Sequence, residues 1–333
     1  MKYIMVWPYG WFDYYMYQDL IMSKKVIPYP LKKPYKLQLI NFIRRVHQSH
    51  KLNKIVKLPY GDIWYSSLFK LIAPDTCIIF DTGALSMVSL KFLKKIKSTG
   101  INTKMIVIVV DSLHGSSEHI PLAMPNIFGF PWDAIFSYDK NDCKEFGFHY
   151  LGPTIYSKLE GIQEGKTESD LYFVGRNKAG RNNFVIQLYK RCMDIGIKTN
   201  FELVDGSKNS DVMNLEYQDG LTFYDKDLPY ENVVSSVLST NCILEVVAKG
   251  QLVQTARYYE AVCYNKKLLT NNPNIKELPF YDSRYMKSFE TIEDIDFEWV
   301  KKKEVINYHY KGEFSPNHIL EKLDRMCSNK NIE

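Results

Sequence analysis

The sequence predicts an α/β protein of two domains, each built on a parallel β-sheet. Short apolar runs alternate with amphipathic segments along the whole chain, which is typical of parallel sheets. The β-branched run from Lys104 to Val110 has the continuous apolar character of a central strand. The length of 333 residues corresponds to two domains at about 150 residues each. We predict an N-terminal domain over 1–153, a polar linker over 154–169, a second domain over 170–312 and a C-terminal helix within 313–333.

The first half contains five candidate strands. These are predicted over 2–7, 54–58, 77–80, 104–110 and 132–139. Helices are predicted over 37–50, 89–97 and 142–147. In the first of these helices the basic residues Arg44 and Arg45 are expected on the outer side. We expect 8–13 to form a loop at the carboxyl end of the first strand, and the proline-rich stretch 28–34 to be irregular.

The second half repeats the alternation without repeating the sequence. Strands are predicted over 170–174, 199–204, 221–224, 240–247 and 267–270. Helices are predicted over 183–196, after Pro229, over 255–263 and from Ser315 to about Met326. Pro229 suits a first helical position, and Asn265 suits a left-handed helix end.

Composition and charge exclude several classes of function. A net charge of +5 is too small for a dedicated nucleic-acid binder. The six cysteines are scattered without a C-x-x-C pair, so we expect reduced thiols in a cytoplasmic protein and neither a zinc nor a thioredoxin-type site. The first apolar run ends at Pro8, too short for a signal-peptide core. No apolar stretch is long enough to cross a membrane.

The stretch 250–272 carries the main candidate site. Thr255 is a candidate N-cap, Arg257 lies in the first turn of the helix and Glu260 one turn further on. A helix N-terminus suits a phosphate, and an arginine adds a forked charged donor. Glu260 is placed to accept hydrogen bonds from ribose hydroxyls. Together with Gln251, these residues predict a site for a diphosphate and a sugar; the alternative is an ordinary amphipathic helix with Glu260 in solvent.

A second glycine-containing turn follows the strand 170–174. Gly175 would let a phosphate approach the backbone, and Arg176, Lys178 and Arg181 would neutralise its charge. The spacing of Gly175 and Gly180 imitates a P-loop, but Arg181 and Asn182 replace the lysine and hydroxyl residue that an ATPase needs. A solvated basic turn is the alternative.

The pair Glu260-Ala261 followed by the turn and strand 265–270 resembles the donor-binding segment of GT-B glycosyltransferases, in particular bacterial enzymes that build capsule or lipopolysaccharide. Residues 132–152 resemble the end of the first GT-B domain. The resemblance implies two Rossmann-like domains with parallel sheets facing across a cleft, and a C-terminal helix that crosses back to the first domain. It implies a nucleotide-sugar co-substrate, with Gly175, Arg176 and Lys178 at its diphosphate. Leu252 stands where retaining members often carry a second glutamate, so the stereochemical class stays open.

The first domain would supply the acceptor surface and any catalytic base. Trp11 and Phe12 are candidate stacking platforms and Asp81 a candidate acceptor contact, because ligands bind beyond the carboxyl ends of strands. A hydrophobic plug under a neighbouring helix is the alternative for the loop. An inverting enzyme needs a base, and Asp111 and His114 are the first candidates, with Asp13 also suitably placed. Each of them also suits a capping or turn position.

No metal site and no cofactor are expected. The triplet Asp225-Lys226-Asp227 follows a short strand, but Lys226 would oppose a cation, so we interpret it as a charged turn. The triplet Asp294-Ile295-Asp296 lies in an acidic tract that we interpret as solvated surface. Arginine and lysine would neutralise the donor instead.

The hypothesis is therefore a metal-independent glycosyltransferase acting on a lipid-linked or growing surface glycan. Expected partners are a nucleotide-sugar, the glycan acceptor, the cytoplasmic face of the inner membrane and a second copy of the chain, with no nucleic acid. Two alternatives are a CMP- or CDP-dependent sialyl- or glycerolphosphotransferase, and a non-catalytic glycan-binding subunit of an assembly complex.

Overall fold

The computed structural model describes most of the chain. The described residues are 1–8, 11–49, 52, 61–99, 102–114, 119–152, 155–176, 181–204, 219–247 and 255–328, with side chains left undescribed at 11–13 and 326–328. The chain forms two compact units. Unit 1 comprises Met1–Ser157 with Ser315–Glu333, and unit 2 comprises Lys158–Phe314. The first division, after residue 157, falls inside the segment 154–169, and the second, after residue 314, falls two residues beyond 312.

Unit 1 contains a six-stranded parallel sheet in the order β2-β1-β3-β4-β5-β6. Its strands are β1 (Lys2–Trp7), β2 (Val26–Pro30), β3 (Thr76–Asp81), β4 (Lys104–Val109), β5 (Ala134–Ser137) and β6 (His149–Tyr150). The prediction that 28–34 is irregular was wrong for Pro28 to Pro30, which pair with β1. Strand β2 is an edge, where a missing backbone N–H can face outward, so prolines are tolerated. The predicted strand 54–58 lies outside the described residues.

Eight helices and one longer 3₁₀ segment accompany this sheet among the described residues. They are α1 (Trp11–Met16), α2 (Gln18–Met22), α3 (Gln38–His47), the 3₁₀ segment Gly61–Lys70, α4 (Thr82–Leu85), α5 (Leu90–Thr99), α6 (Ile120–Gly129), α7 (Lys140–Phe146) and, at the C-terminus, α12 (Asn317–Ser328). The expected loop 8–13 becomes helical at Trp11, so that prediction was wrong beyond residue 10. The expectation for Arg44 was also wrong, because its side chain is buried.

Strand alternation builds the core of unit 1 on both faces of the sheet. Ile4 and Ile78 pack on one face, and their neighbours Met5 and Ile79 pack on the other. Helix α12 covers the second face with three buried side chains, Ile319, Leu320 and Leu323. The C-terminal helix therefore packs on the N-terminal unit and takes part in its core.

Unit 2 contains a second six-stranded parallel sheet in the order β12-β11-β10-β7-β8-β9. Its strands are β7 (Ser169–Arg176), β8 (Thr199–Val204), β9 (Leu221–Tyr224), β10 (Thr240–Glu245), β11 (Lys267–Thr270) and β12 (Met286–Ser288), with helices α8 (Arg181–Asp194), α9 (Tyr230–Ser239), α10 (Ala256–Cys263) and α11 (Phe297–Lys301). Counted from β7, this is the Rossmann strand order, which reverses between β7 and β10. Ligands of such sheets bind at the carboxyl ends of the strands beside this reversal.

Candidate functional site

Helix α10 begins next to the strand reversal of unit 2, and its N-cap residue, Thr255, is hydrogen-bonded to the buried carboxylate of Glu245. The Thr255 hydroxyl caps the helix by accepting the Arg257 N–H at 3.2 Å. Its own backbone N–H and hydroxyl donate to Oε1 of Glu245, at 3.1 and 2.6 Å. The other Glu245 oxygen accepts the Thr270 hydroxyl at 2.6 Å. Strands β10 and β11 are thereby tied to the start of α10, as a preorganised helix N-terminus requires.

Arg257, in the first turn of α10, forms an ion pair with the fully buried Glu260 one turn further on. Nη2 of Arg257 donates to Oε1 of Glu260 at 2.6 Å, and the Tyr230 hydroxyl donates to the same oxygen at 2.8 Å. Glu260 is fully buried, and burial raises its pKa to about 7 despite the opposing effects of Arg257 and Tyr230. Its Oε2 has no hydrogen-bond partner among the described residues. An unsatisfied oxygen at this depth is costly, so the arrangement favours a ligand donor.

A second arginine and a second buried carboxylate lie around this pair. The Tyr172 hydroxyl donates to Oε2 of Glu202 at 2.7 Å. Burial raises the pKa of Glu202, and the charge of Arg257 opposes that shift. Burial lowers the pKa of Arg181, and the nearby charge of Arg257 lowers it further. Nε of Arg181 is buried without a hydrogen-bond partner among the described residues. Two neighbouring guanidinium groups, one of which has an N–H donor without a partner among the described residues, suit an anion such as a diphosphate.

The glycine at the end of β7 leaves room for Arg181. A β-carbon on Gly175 would lie 3.1 Å from Nη2 of Arg181 and 3.0 Å from the Phe173 ring. Arg181 donates to the carbonyl of Arg176. Arg176 itself is mostly exposed and forms a two-pronged ion pair with Asp227, its Nε lying 2.8 Å from Oδ1. Lys178 and Gln251 lie outside the described residues.

Sequence reasoning missed several residues of this network, notably Glu245, Glu202 and Tyr230, and placed Arg181 only in a supporting role. Glu245 had a usable signal, since a carboxylate that ends an otherwise apolar strand is rarely buried without a partner. Glu202 and Tyr230 had none, because they lie on different elements that only the folded sheet brings together. Thr255, Arg257 and Glu260, which the sequence predicts as donor contacts, lie next to one another on α10, as the helical spacing predicts.

In unit 1, Asp81 is buried at the end of β3. Its side chain accepts the Ala84 N–H at 2.7 Å and so caps α4. The next residue, Thr82, links β3 to β4 by donating its hydroxyl to the Ile108 carbonyl and accepting the Val110 N–H. Asp81 therefore has a structural role here, and its proposed contact with an acceptor stays a prediction.

Asp111 and His114 follow β4 and are both exposed. Nε2 of His114 lies 2.8 Å from Oε2 of Glu145, and this partner raises the pKa of the imidazole. The buried carboxylate nearby is Asp142, which accepts the Leu113 N–H at 3.0 Å and whose pKa is raised by burial. Trp11, Phe12 and Asp13 lie in α1, and their side chains are outside the description.

The acidic triplets have other partners. Asp227 pairs with Arg176, Asp294 accepts the Thr291 N–H at 2.8 Å, and Asp296 caps α11 through the Trp299 N–H at 3.0 Å. The last two are thus capping residues of an exposed tract. Within the described ranges, no group of three or more histidine, cysteine, aspartate or glutamate side chains is arranged to hold a metal ion. None of the described helices is long and apolar enough to span a bilayer.

Comparison with solved structures identifies the fold. The chain is similar to an α-glucosyltransferase in complex with UDP and a 13-mer DNA containing a HMU base, with a TM-score of 0.58, 12% identity and coverage of 98% of this chain and 99% of that one. It is also similar to an α-glucosyltransferase in complex with UDP and a 13-mer DNA containing a central A:G mismatch. The TM-score there is 0.53 and the identity 11%, and the match covers 90% of this chain and 89% of that one. The match to the S. aureus MnaA-UDP structure has a TM-score of 0.49 and 13% identity, and it covers 100% of this chain and 99% of that one.

No protein-family model and no curated protein matches the chain. Identities this low show the fold alone. The fold is shown by the two matches with TM-scores of 0.58 and 0.53. The predicted fold class is confirmed: the chain has two Rossmann-like domains, each with a six-stranded parallel sheet, as in glycosyltransferases of the GT-B fold.

Proposed function

We propose that this protein is a glycosyltransferase that takes a sugar from a nucleotide-sugar donor bound in unit 2. The observation that carries the proposal is the buried group formed by Arg181, Arg257 and Glu260 beside the strand reversal. Two solved structures that share the fold are UDP complexes, which supports a nucleoside diphosphate as the ligand class. The site would hold the diphosphate, while the unsatisfied Glu260 oxygen would meet a hydroxyl of the nucleotide.

The chemistry follows from charge. When the glycosidic bond to the donor breaks, negative charge grows on the leaving diphosphate while the sugar becomes oxocarbenium-like. Arg181 and Arg257 would stabilise that charge, aided by the positive end of the α10 dipole. Glu245 and Thr255 keep this helix end in place before the substrate arrives. The reaction proposed here needs no metal, because the two guanidinium groups supply the positive charge.

The acceptor that we propose is a lipid-linked or growing surface glycan at the cytoplasmic face of the membrane. Asp111, His114 and Asp13 remain the proposed bases if the reaction inverts configuration. Replacing each by alanine in a hydroxyl-acceptor assay, with donor binding measured in parallel, separates a base from a donor contact. A base lowers turnover and leaves donor affinity unchanged.

The donor site is tested by calorimetric titration of the full chain with UDP, GDP, CMP and their sugars, with and without EDTA. Wild type is expected to bind one nucleoside diphosphate saturably, with or without EDTA. Arg257→Ala is expected to weaken binding about 30-fold or more, since charge-assisted hydrogen bonds contribute about 2 kcal/mol. Arg284→Ala is the matched control, because that arginine is 70% exposed and pairs with Asp282 alone among described acidic residues.

Three outcomes would contradict parts of the proposal. Absence of saturable nucleotide binding would reject the donor site altogether. Selective binding of CMP or CDP would favour a sialyl- or glycerolphosphotransferase. Glycan binding without any nucleotide turnover, unchanged in Glu260→Gln, would indicate a non-catalytic glycan-binding subunit.

A further inference from the structure

Helix α3 of unit 1 directs an apolar face into solvent. Leu39, Phe42, Ile43 and Val46 are 69, 60, 48 and 39% exposed, respectively. Their spacing of i, i+3, i+4 and i+7 places all four on one side of the helix. Leu37, just before the helix, is 65% exposed as well. A contiguous apolar face of this kind on a globular unit marks a contact surface.

The opposite side of α3 is polar and holds the helix to the segment that precedes it. Asn41 exchanges two hydrogen bonds with the backbone of Tyr35, at 2.8 and 2.7 Å. Arg44 is buried and donates to the carbonyls of Lys33 and Lys32, at 2.8 and 3.1 Å. Residues 41 and 44 lie one turn apart, opposite the centre of the apolar face. The inward side is therefore fixed by polar contacts, and the outward apolar side is a stable feature of the fold.

The sequence around α3 is strongly basic. No aspartate or glutamate occurs between Asp19 and Asp62, while residues 20–61 contain ten lysines and arginines. Residues 20–61 therefore carry a formal charge of +10. Because the net charge of the whole chain is +5, the rest of the chain carries −5. Four of these cations, in α3 or in the segment just before it, are exposed: Lys32, Lys33, Lys36 and Arg45. Apolar and cationic groups are thus concentrated in one segment of an otherwise acidic chain.

We propose that α3 and the basic residues beside it form a docking surface for an anionic lipid bilayer. An interfacial helix lies in the headgroup region with its apolar side chains in the acyl boundary and its cations at the lipid phosphates. A second copy of the chain is a poor occupant, because a symmetric contact would bring two +10 segments together. A protein partner is disfavoured by the lysines, which are depleted in protein interfaces.

The docking surface lies in unit 1, whereas the proposed donor site lies in unit 2, so the two proposals stand independently. Donor titration tests one, and vesicle binding without any nucleotide tests the other. A membrane-docked unit 1 would fit an acceptor that is itself anchored in the bilayer.

The test is flotation of the full chain with vesicles, either of phosphatidylcholine alone or of three parts phosphatidylcholine to one part phosphatidylglycerol. We expect flotation with the anionic vesicles only, reduced at high salt. Phe42→Ser combined with Ile43→Ser is expected to lower partitioning at least about tenfold, since two apolar side chains are lost from the acyl boundary. Replacing Lys32, Lys33 and Lys36 by glutamine is expected to lower it about fivefold per charge.

Val305→Ser is the matched control, because that side chain is 92% exposed in unit 2 and should have no effect. Thermal unfolding of each variant checks that it is folded. Absence of flotation with the wild type, or equal flotation of the Phe42→Ser, Ile43→Ser variant, overturns the proposal. Light scattering that shows a dimer converted to a monomer by the same variant would assign the face to a second copy and also overturn it.

Discussion

Helices α3 and α10 both depart from the usual amphipathic arrangement, but in opposite directions. Helix α10 buries a carboxylate, with Glu260 fully enclosed, whereas α3 exposes Phe42 and buries Arg44. In α10 the anomaly is the Oε2 atom of Glu260, which is buried without a hydrogen-bond partner among the residues that the structure describes. In α3 it is an uncovered apolar face. A buried polar atom without a partner indicates a small polar ligand, whereas an exposed apolar face indicates a surface, so the same kind of departure points to two kinds of partner.

The largest effect is expected at Glu260, through the pH dependence of stability. Its folded-state pKa of about 7 lies above the ordinary carboxyl value of 4.5. Between these values the folded state holds a proton that the unfolded state has lost, so wild-type stability falls as pH rises from about 4.5 through 7. The full shift corresponds to about 3 kcal/mol. Glu260→Gln is expected to remove this slope in urea unfolding at pH 5 and pH 8.

The exposed Glu298→Gln is the control and should keep the wild-type slope. If the stability of Glu260→Gln depends on pH as that of wild type does, the Glu260 carboxyl is ionised throughout the range. The contrast between α3 and α10 would then not hold for α10.

The next effect tests how α3 is held with its polar side inward. Arg44→Ala removes two charge-assisted hydrogen bonds to the carbonyls of Lys32 and Lys33. We expect a loss of about 2 kcal/mol in the free energy of unfolding. Its neighbour Arg45 is exposed, so Arg45→Ala should change stability by less than about 0.5 kcal/mol. Equal effects of the two substitutions in denaturant unfolding would contradict the orientation of α3.

A smaller effect is expected at the start of α10. Thr255→Val removes the helix cap and one donor to Glu245, with an expected loss of about 1 kcal/mol. Thr255→Ser keeps the hydroxyl and should recover most of that loss. If valine and serine behave alike in thermal unfolding, the hydroxyl does not hold the helix end, and the preorganisation argued for the diphosphate site fails.

The smallest change in stability is expected on the exposed face of α3, and it is compared here with a substitution on the buried face of α10. Phe42→Ser on α3 should change stability by less than about 0.5 kcal/mol, because its side chain leaves little apolar surface to expose on unfolding. Val262→Ala on α10 removes less volume from a fully buried position and should cost about 2 kcal/mol. Both are measured by denaturant unfolding. A large loss for Phe42→Ser would place that residue in the core.

Much of unit 2 was predictable. Strands 199–204, 221–224 and 267–270 were predicted with the bounds that the structure has. The Thr255 cap and the left-handed Asn265, with φ of 52°, were also confirmed. Helix α6 was missed because its apolar run contains Pro125, and β12 because three residues carry too little pattern.

The sequence by itself determined the alternation of strands and helices, and it placed Thr255, Arg257 and Glu260 along one short helix, because both depend on local spacing. The tertiary structure alone decided that Glu260 is fully buried and accepts the Tyr230 hydroxyl, since that contact joins residues 30 positions apart in the chain. It also decided which side of α3 faces outward. A helical pattern has the same period whichever face is buried, and contacts made outside the helix, such as those of Arg44 with the carbonyls of Lys32 and Lys33, fix the choice.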